Sequence, residues 1–415
     1  MTDPMDVKRL FQEIENSRED MIELLSGLIE RPAISPESGG DGEAVKAAFI
    51  ADWLRKNGFP APEHYDAADP GAKGGIRPNL VVRIPGETRR RLWLVTHMDV
   101  VPEGDPALWS RDPFRACRCG GRIYGRGSTD NGQEMAASML AARAFLRTGL
   151  KPQPEVCLCL VSDEETGSEK GIRYLLRSGL FEQNDLVITP DGGSPEGDFM
   201  EVAEKHILWL SFSLEGKQTH ASLPGLGLNA CRAANILSVR LDEALHRVFP
   251  EEDDLFRPPV STFEPTMRAA NVSNVNTVPG FEEICFDCRL LPSTDPDEVL
   301  KTVREVARNV ADETGVTWDL RLLQDTRSPA PTPTDSDVVR LLSSSIENVL
   351  GVTARAGGVG GGTCAAWFRR EGIPAVVWSR QDPLDHMPDE YAVEEYMMDE
   401  ARVFAAMMCG ADDIL

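Results

Sequence analysis

Apolar residues along this 415-residue chain keep one rhythm at the start, change it in the middle and return to it near the end. At 5–31 and 43–57 they recur at helical spacing, as Leu10, Phe11, Ile14 and then Val45, Phe49, Ile50, Trp53 and Leu54, and the second stretch stops at Gly58. Strand-like runs follow at 79–84 and 92–96, separated by a Pro-Gly turn and read as a hairpin or neighbouring strands. A helix is predicted over 133–148, with Met135, Met139, Ala142 and Leu146 on one face, then a strand at 156–161, a helix at 169–178 and a strand at 185–189. Continuous apolar strands alternating with helices predict a largely parallel sheet covered by helices.

The alternation then becomes that of a half-buried strand at 207–214, followed by a helix at 228–248, a strand at 281–291, a helix at 294–313 and a strand at 316–323. These form a separate α+β unit. It ends at a proline-rich crossing, Ser328 to Asp335, after which elements alternate again at 335–350, 363–371, 374–378 and 393–409. The expected fold is therefore α/β: a discontinuous domain of 1–204 and 326–415 with an inserted α+β domain at 205–325.

Ionisable residues gather where the predicted strands end. The run Val156 to Val161 gives way to Asp163, Glu164 and Glu165; the strand at 92–96 ends on His97 and Asp99; Asp191 follows the strand at 185–189, and His386 lies in a loop after 374–378. Asp130 sits just before a helix start. Taken singly, each has an ordinary structural reading as a cap, a turn former or a surface residue. Together they place two imidazoles and several carboxylates beyond the carboxyl ends of parallel strands, where α/β proteins bind ligands. Buried acids in such numbers call for a divalent cation.

Composition narrows the classes. A formal charge of −24 repels phosphate backbones and anionic membrane surfaces, so neither nucleic acid nor membrane is an expected partner. The start of the chain lacks the apolar core of a signal peptide and no run is long enough to span a bilayer, so a cytoplasmic location is expected. Nine cysteines fit reduced thiols, and the pairs Cys117/Cys119, Cys157/Cys159 and Cys285/Cys288 are read as core residues and not as a zinc site.

The stretches Thr96-His-Met-Asp-Val-Val-Pro102, Gly125-Arg-Gly-Ser-Thr-Asp-Asn131, Asp163-Glu-Glu-Thr-Gly-Ser168, Pro190-Asp-Gly192 and the late His386, taken in order, resemble the co-catalytic metallohydrolases that include acetylornithine deacetylase, succinyl-diaminopimelate desuccinylase, aminoacylase, glutamate carboxypeptidase and several dipeptidases. The resemblance covers nearly the whole chain. It implies two divalent ions, zinc foremost with cobalt or manganese as alternatives, bridged by Asp130, with His97 and Asp191 completing one position and Glu165 and His386 the other. Glu164 would be the general base, and Asp99 the acid that orients the His97 ring. A cis peptide after Asp130 is also implied.

The inserted domain would act as lid and dimerisation module. His220, in Gly216-Lys-Gln-Thr-His-Ala-Ser222, would stabilise the oxyanion from the other subunit of a homodimer. Asn276, Arg289 and Thr363 resemble substrate contacts, with Arg289 either a carboxylate clamp or half of a structural salt bridge. Two departures stand out: Asn131-Gly-Gln133 replaces the lysine and glycine of many relatives, and Asp191 stands where deacetylases and desuccinylases usually carry Glu. The expected activity is hydrolysis of small N-acyl amino acids. A dipeptidase or aminopeptidase is the alternative within the family, and a silent binding homologue the alternative outside enzymes.

Overall fold

A computed structural model describes residues 4–410. They form two compact units. The first contains the chain up to Val202, Thr332–Gly357 and the chain from Thr363 onward; the second contains Ala203–Pro331 and Gly358–Gly362. The short return of Gly358–Gly362 to the second unit was not expected: Val359 accepts a hydrogen bond from Lys205 N at 3.0 Å, and Gly358 bridges Phe256.

In the first unit an eight-stranded sheet runs in the order Glu63–His64, Leu80–Ile84, Glu155–Val161, Arg91–His97, Leu186–Gly193, Ala375–Ser379, Phe199–Glu204, Arg355–Val359. Its four middle members, Glu155–Val161 through Ala375–Ser379, are mutually parallel, and antiparallel strands flank them. Helices cover both faces. Trp93, Val95, Cys157, Cys159, Val187 and Val377 pack against Ile172–Arg177 and Cys364–Arg370. On the opposite face the helix Glu134–Thr148 is buried along most of its length and packs against Glu394–Cys409, whose Phe404 meets Trp378 edge-on at 5.7 Å. Strands enclosed in this way have no polar face, which is why they read as unbroken apolar runs.

Four local expectations need correction. The runs at 79–84 and 92–96 are neither a hairpin nor neighbours: Glu155–Val161 lies between them, antiparallel to the first and parallel to the second. The stretch 5–31 forms two helices, Pro4–Asn16 and Arg18–Ile29, because the backbone leaves helical angles at Ser17 (φ −96°, ψ 7°). Asp191 lies within its strand and not beyond it, since Leu186–Gly193 keeps pairing with Ala375–Ser379 as far as Gly193 through an irregularity in register. Finally, Cys117 and Cys119 belong to a peripheral strand and are partly or fully exposed, whereas Cys157, Cys159, Cys285 and Cys288 are buried; none of the nine cysteines forms a disulfide.

The second unit is a four-stranded antiparallel sheet, in the order Thr262–Arg268, Phe281–Leu290, His206–Glu215, Thr317–Thr326, with the helices Ala230–Val248 and Pro296–Thr314 packed into one core with it. Leu208, Leu210, Phe212 and Leu214 alternate inward toward Leu237, Leu241, Val299 and Val303, while Trp209 on the other face is exposed. That is the period of two the sequence displays. Among the described residues no helix is long and apolar enough to cross a membrane.

Candidate metal centre

The site is assembled from loop and strand ends on the first unit's parallel sheet. His97 is the last residue of Arg91–His97 and stands level with Val161, so the turn that follows Val161 begins beside it. That turn is strained: Asp163 takes a left-handed φ of 65° and Ser168 one of 62°. The only other described non-glycine residues at positive φ are His386 (63°) and Asp389 (57°). All four fall in the two loops that carry Glu164, Glu165 and His386. Strain of this kind persists where surrounding contacts over-determine the backbone.

Those contacts are visible. The buried Asp99 carboxylate accepts the backbone N–H of Glu164 at 3.1 Å and of Glu165 at 3.0 Å, which fixes the orientation of both glutamates. From the other side Asp163 donates its N–H to Glu43 Oε1 at 3.3 Å and its carboxylate accepts Lys170 N at 2.8 Å. Glu43 is itself held by the fully buried Arg77, whose Nε donates at 2.7 Å. Asp99 also bears on His97, through its main-chain carbonyl at 3.0 Å from Nδ1 and its carboxylate at 3.6 Å. The ring is thus oriented chiefly by the Asp99 carbonyl, while the Asp99 carboxylate serves the glutamate turn.

Two groups of potential ligands result. His97, Asp130 and Asp191 converge, and so do Asp130, Glu165 and His386. His97 Nε2 lies 2.9 Å from Asp130 Oδ1 and 3.4 Å from Asp191 Oδ1; His386 Nε2 lies 3.1 Å from Asp130 Oδ2 and 3.1 Å from Glu165 Oε2. Asp130 therefore offers one oxygen to each group. The peptide Asp130-Asn131 is cis, and both residues depart from helical angles just before the helix Glu134–Thr148.

The donor set fits a pair of divalent cations. With Nδ1–H directed at the Asp99 carbonyl, His97 Nε2 presents a lone pair to carboxylate oxygens, and it is buried without a hydrogen-bond partner. Lone pairs facing lone pairs repel unless a proton or a cation lies between them. Electrostatics agree: burial opposes a charged His97, yet Asp191, Asp130 and Asp99 outweigh it and hold the ring well above its ordinary pKa. Hydrogen bonding to Asp130 and Glu165 raises His386 to about 10, and burial with Asp130 nearby raises Glu165 to about 7. A cation would displace these protons. Imidazole with carboxylate suits zinc, cobalt or manganese.

Glu164 belongs to neither group. Burial, followed by repulsion from Asp191, raises its carboxyl well above the usual range. Thr363 caps the helix Cys364–Arg370, accepting Ala365 N at 3.2 Å. The remaining expected residues lie in the second unit. His220 pairs with Thr277 in a two-stranded ribbon, Asn276 lies in the turn just before it with its carbonyl accepting Ala221 N at 2.8 Å, and the exposed His220 ring accepts Ser222 N on Nδ1 at 3.1 Å. Arg289 engages Asp287 through Nε at 2.7 Å and Nη2 at 2.9 Å and donates Nη1 to Gly360 O at 2.7 Å, the geometry of a structural pair.

Arg126, Glu390, Arg77 and Glu43 escaped the sequence reading, and Asn131 entered it only as a departure from relatives. Arg126 and Glu390 did carry a faint signal, one lying inside the Gly125 to Asn131 stretch and the other four residues after His386.

Comparison with known proteins agrees with this geometry. The profile of peptidase family M20/M25/M40 matches residues 93–409. The chain belongs to that family. It is a metal-dependent hydrolase of amide bonds. It is 36% identical over 410 residues to an uncharacterized metallohydrolase of Methanococcus maripaludis, covering 93% of this chain and 98% of the relative. A succinyl-diaminopimelate desuccinylase of Alkalilimnicola ehrlichii is 28% identical over 306 residues, 72% of this chain and 76% of that one. Human carnosine dipeptidase 1 shares the fold, with a TM-score of 0.72 at 15% identity over 98% of each chain.

Proposed function

We propose that this family member hydrolyses the amide bond of small N-acyl amino acids, with His97, Asp130 and Asp191 holding one divalent ion and Asp130, Glu165 and His386 the other. The observation that carries the reading is the bridging position of Asp130, with an oxygen toward each histidine at 2.9 and 3.1 Å. When bound, the ion pair supplies Lewis acidity and makes water a usable nucleophile at neutral pH. The chain's own residues do the rest. Glu164 accepts the proton from water and returns it to the departing amine, and its raised pKa suits a group that must hold that proton between the two events. Asp99 keeps Glu164 and Glu165 aimed in their different directions through the two backbone N–H groups it accepts.

Within this reading His220 stabilises the oxyanion in the other subunit of a homodimer, and Asn276 and Thr363 contact substrate, whereas Arg289, held by Asp287 and Gly360, takes the structural role that was its alternative. An active enzyme that is strictly monomeric would end the proposed role of His220. Similarity to a desuccinylase supports the acyl substrate. The second reading, a dipeptidase, is favoured by the short Asp191 at a position where deacylases usually carry Glu.

One assay separates them. Metal-stripped protein is restored with zinc, cobalt or manganese and offered N-succinyl and N-acetyl amino acids beside unblocked dipeptides. Metal-dependent cleavage of the acylated set supports the proposal. Cleavage of dipeptides alone replaces it with the second reading.

A further inference from the structure

Three buried polar side chains that are not ligands stand between the metal-binding residues and connect them in pairs. Asn131 is 2% exposed; its Oδ1 accepts the backbone N–H of His97 at 3.2 Å, and its Nδ2 donates to Pro190 O and to Asp191 Oδ1 at 3.3 Å. One amide thereby joins the ends of two neighbouring strands, Arg91–His97 and Leu186–Gly193, each of which carries a ligand of the first group. Because Asn131 directly follows Asp130, the third ligand of that group is attached to the same clasp.

The second group has a different clasp. Glu390 is fully buried and gathers the backbone N–H of Gly127 at 3.1 Å, Thr129 at 2.9 Å and Asp130 at 3.2 Å, with Arg126 Nη1 at 2.7 Å. Arg126, 3% exposed, turns its Nη2 to the main-chain carbonyl of His386 at 3.2 Å. The loop bearing Asp130 and the strained loop bearing His386 are therefore fastened to each other across some 260 residues of sequence. A buried ion pair adds little to stability over an apolar pair of similar volume, so its role is better sought in the geometry it imposes. Each ligand group thus has its own clasp, built of different chemistry and reaching different loops.

We propose that Asn131 and the Arg126–Glu390 pair are positioning residues that set the affinities of the two metal positions separately, Asn131 for the position of His97 and Asp191, Arg126 with Glu390 for the position of His386 and Glu165. The inference rests on the two-metal reading above but not on the substrate. It follows from mechanics. Losing the Glu390 contacts frees the Gly127–Asp130 loop from the His386 loop, whereas His97 and Asp191 stay registered through their strands and Asn131. Losing the Asn131 amide loosens His97 from Asp191 and leaves the Glu390 contacts intact. Removing a group that orients metal ligands typically lowers metal affinity roughly 10- to 100-fold.

The test is calorimetric titration of metal-stripped protein with zinc, using His97→Ala and His386→Ala as references that each remove one position. Glu390→Gln is expected to weaken the His386 position roughly 10- to 100-fold and the His97 position by much less, and Asn131→Ala to do the reverse. Glu390→Gln leaves a buried guanidinium unpaired and is the variant most exposed to misfolding. Arg126→Lys keeps that positive charge while losing the fork to His386, and is expected to show the same selectivity with a smaller loss. Asn131→Ser serves likewise for the other clasp. Circular dichroism of the metal-free variants verifies the fold. Equal weakening of both positions by either clasp variant, or no weakening by any, overturns the proposal. Binding of a single ion by the unmutated protein overturns it too, and shows before any variant is compared that the two-metal reading has failed. Failure of the acyl substrate alone leaves these affinities unchanged, so the two failures are distinguishable.

Discussion

Arg91–His97 in the first unit and His206–Glu215 in the second are both strands with largely buried side chains, yet they meet opposite surroundings at their ends. The first delivers a 3%-exposed imidazole into a group of carboxylates, whereas the second alternates Leu208, Leu210, Phe212 and Leu214 into an apolar core and ends on the exposed Glu215. In the second sheet burial and stability largely coincide: the apolar inward side chains gain from leaving water, and the buried Glu282 is paired with Arg268 at 2.5 Å. At the strand ends of the first sheet they conflict. His97, Asp99, Asp130, Asp191, Glu164 and Glu165 are ionisable groups held away from bulk water, where they cost free energy unless charge is matched. The difference locates the chemistry: the polar burial that does not serve folding is the burial that a pair of cations would repay.

The strongest way to break this comparison is Asp130→Ala. It removes an oxygen from each ligand group, and the expected outcome is loss of both metals and of measurable turnover while the second unit's fold persists, followed by metal analysis and circular dichroism. Retention of both ions would show that Asp130 is no bridge. Glu164→Gln sharpens the same contrast by leaving the ligand groups intact: kcat should fall about 10²- to 10⁴-fold at unchanged metal content. A variant that also loses metal would make Glu164 a ligand and not a base.

Phe212→Ala tests the other region. Phe212 is fully buried and meets Phe286 edge-on at 6.0 Å, so truncation should cost about 3–5 kcal/mol in denaturant unfolding without altering zinc affinity. A change in zinc affinity would show that the two regions are not independent.

The smallest expected effect is on pH dependence in the metal-free protein. Folding raises His386 from 6.5 to about 10 and Glu165 from 4.5 to about 7. In both cases the folded state binds protons more tightly than the unfolded chain, so the stability they contribute is lost as pH rises. For Glu165 it is full below 4.5 and gone above about 7; for His386 it is full below 6.5 and gone above about 10. Thermal unfolding of stripped protein between pH 5 and 10 should therefore slope downward, and added zinc should flatten the slope, because metal takes the place of the protons. An upward slope in stripped protein would contradict the charge balance described for the site.

Much of this was legible before any coordinates. Period alone separated continuous apolar strands from alternating ones, and so separated a helix-covered parallel sheet from an antiparallel one, because side-chain burial on two faces or one is written directly into residue order. Ionisable residues at the ends of apolar runs marked His97, Glu164, Glu165 and Asp191 for the same reason. Nothing local could show that Glu155–Val161 inserts between Leu80–Ile84 and Arg91–His97, since strand order is decided by pairing across some 70 residues. Nor could it show that Arg289 faces Asp287 and Gly360, or that Glu390 reaches back to Asp130. The sequence by itself determined which residues could serve as ligands and which elements would carry them. Only the tertiary structure decided which candidate ligands lie together and what holds them there, because a buried polar group must find its partner wherever the fold brings one.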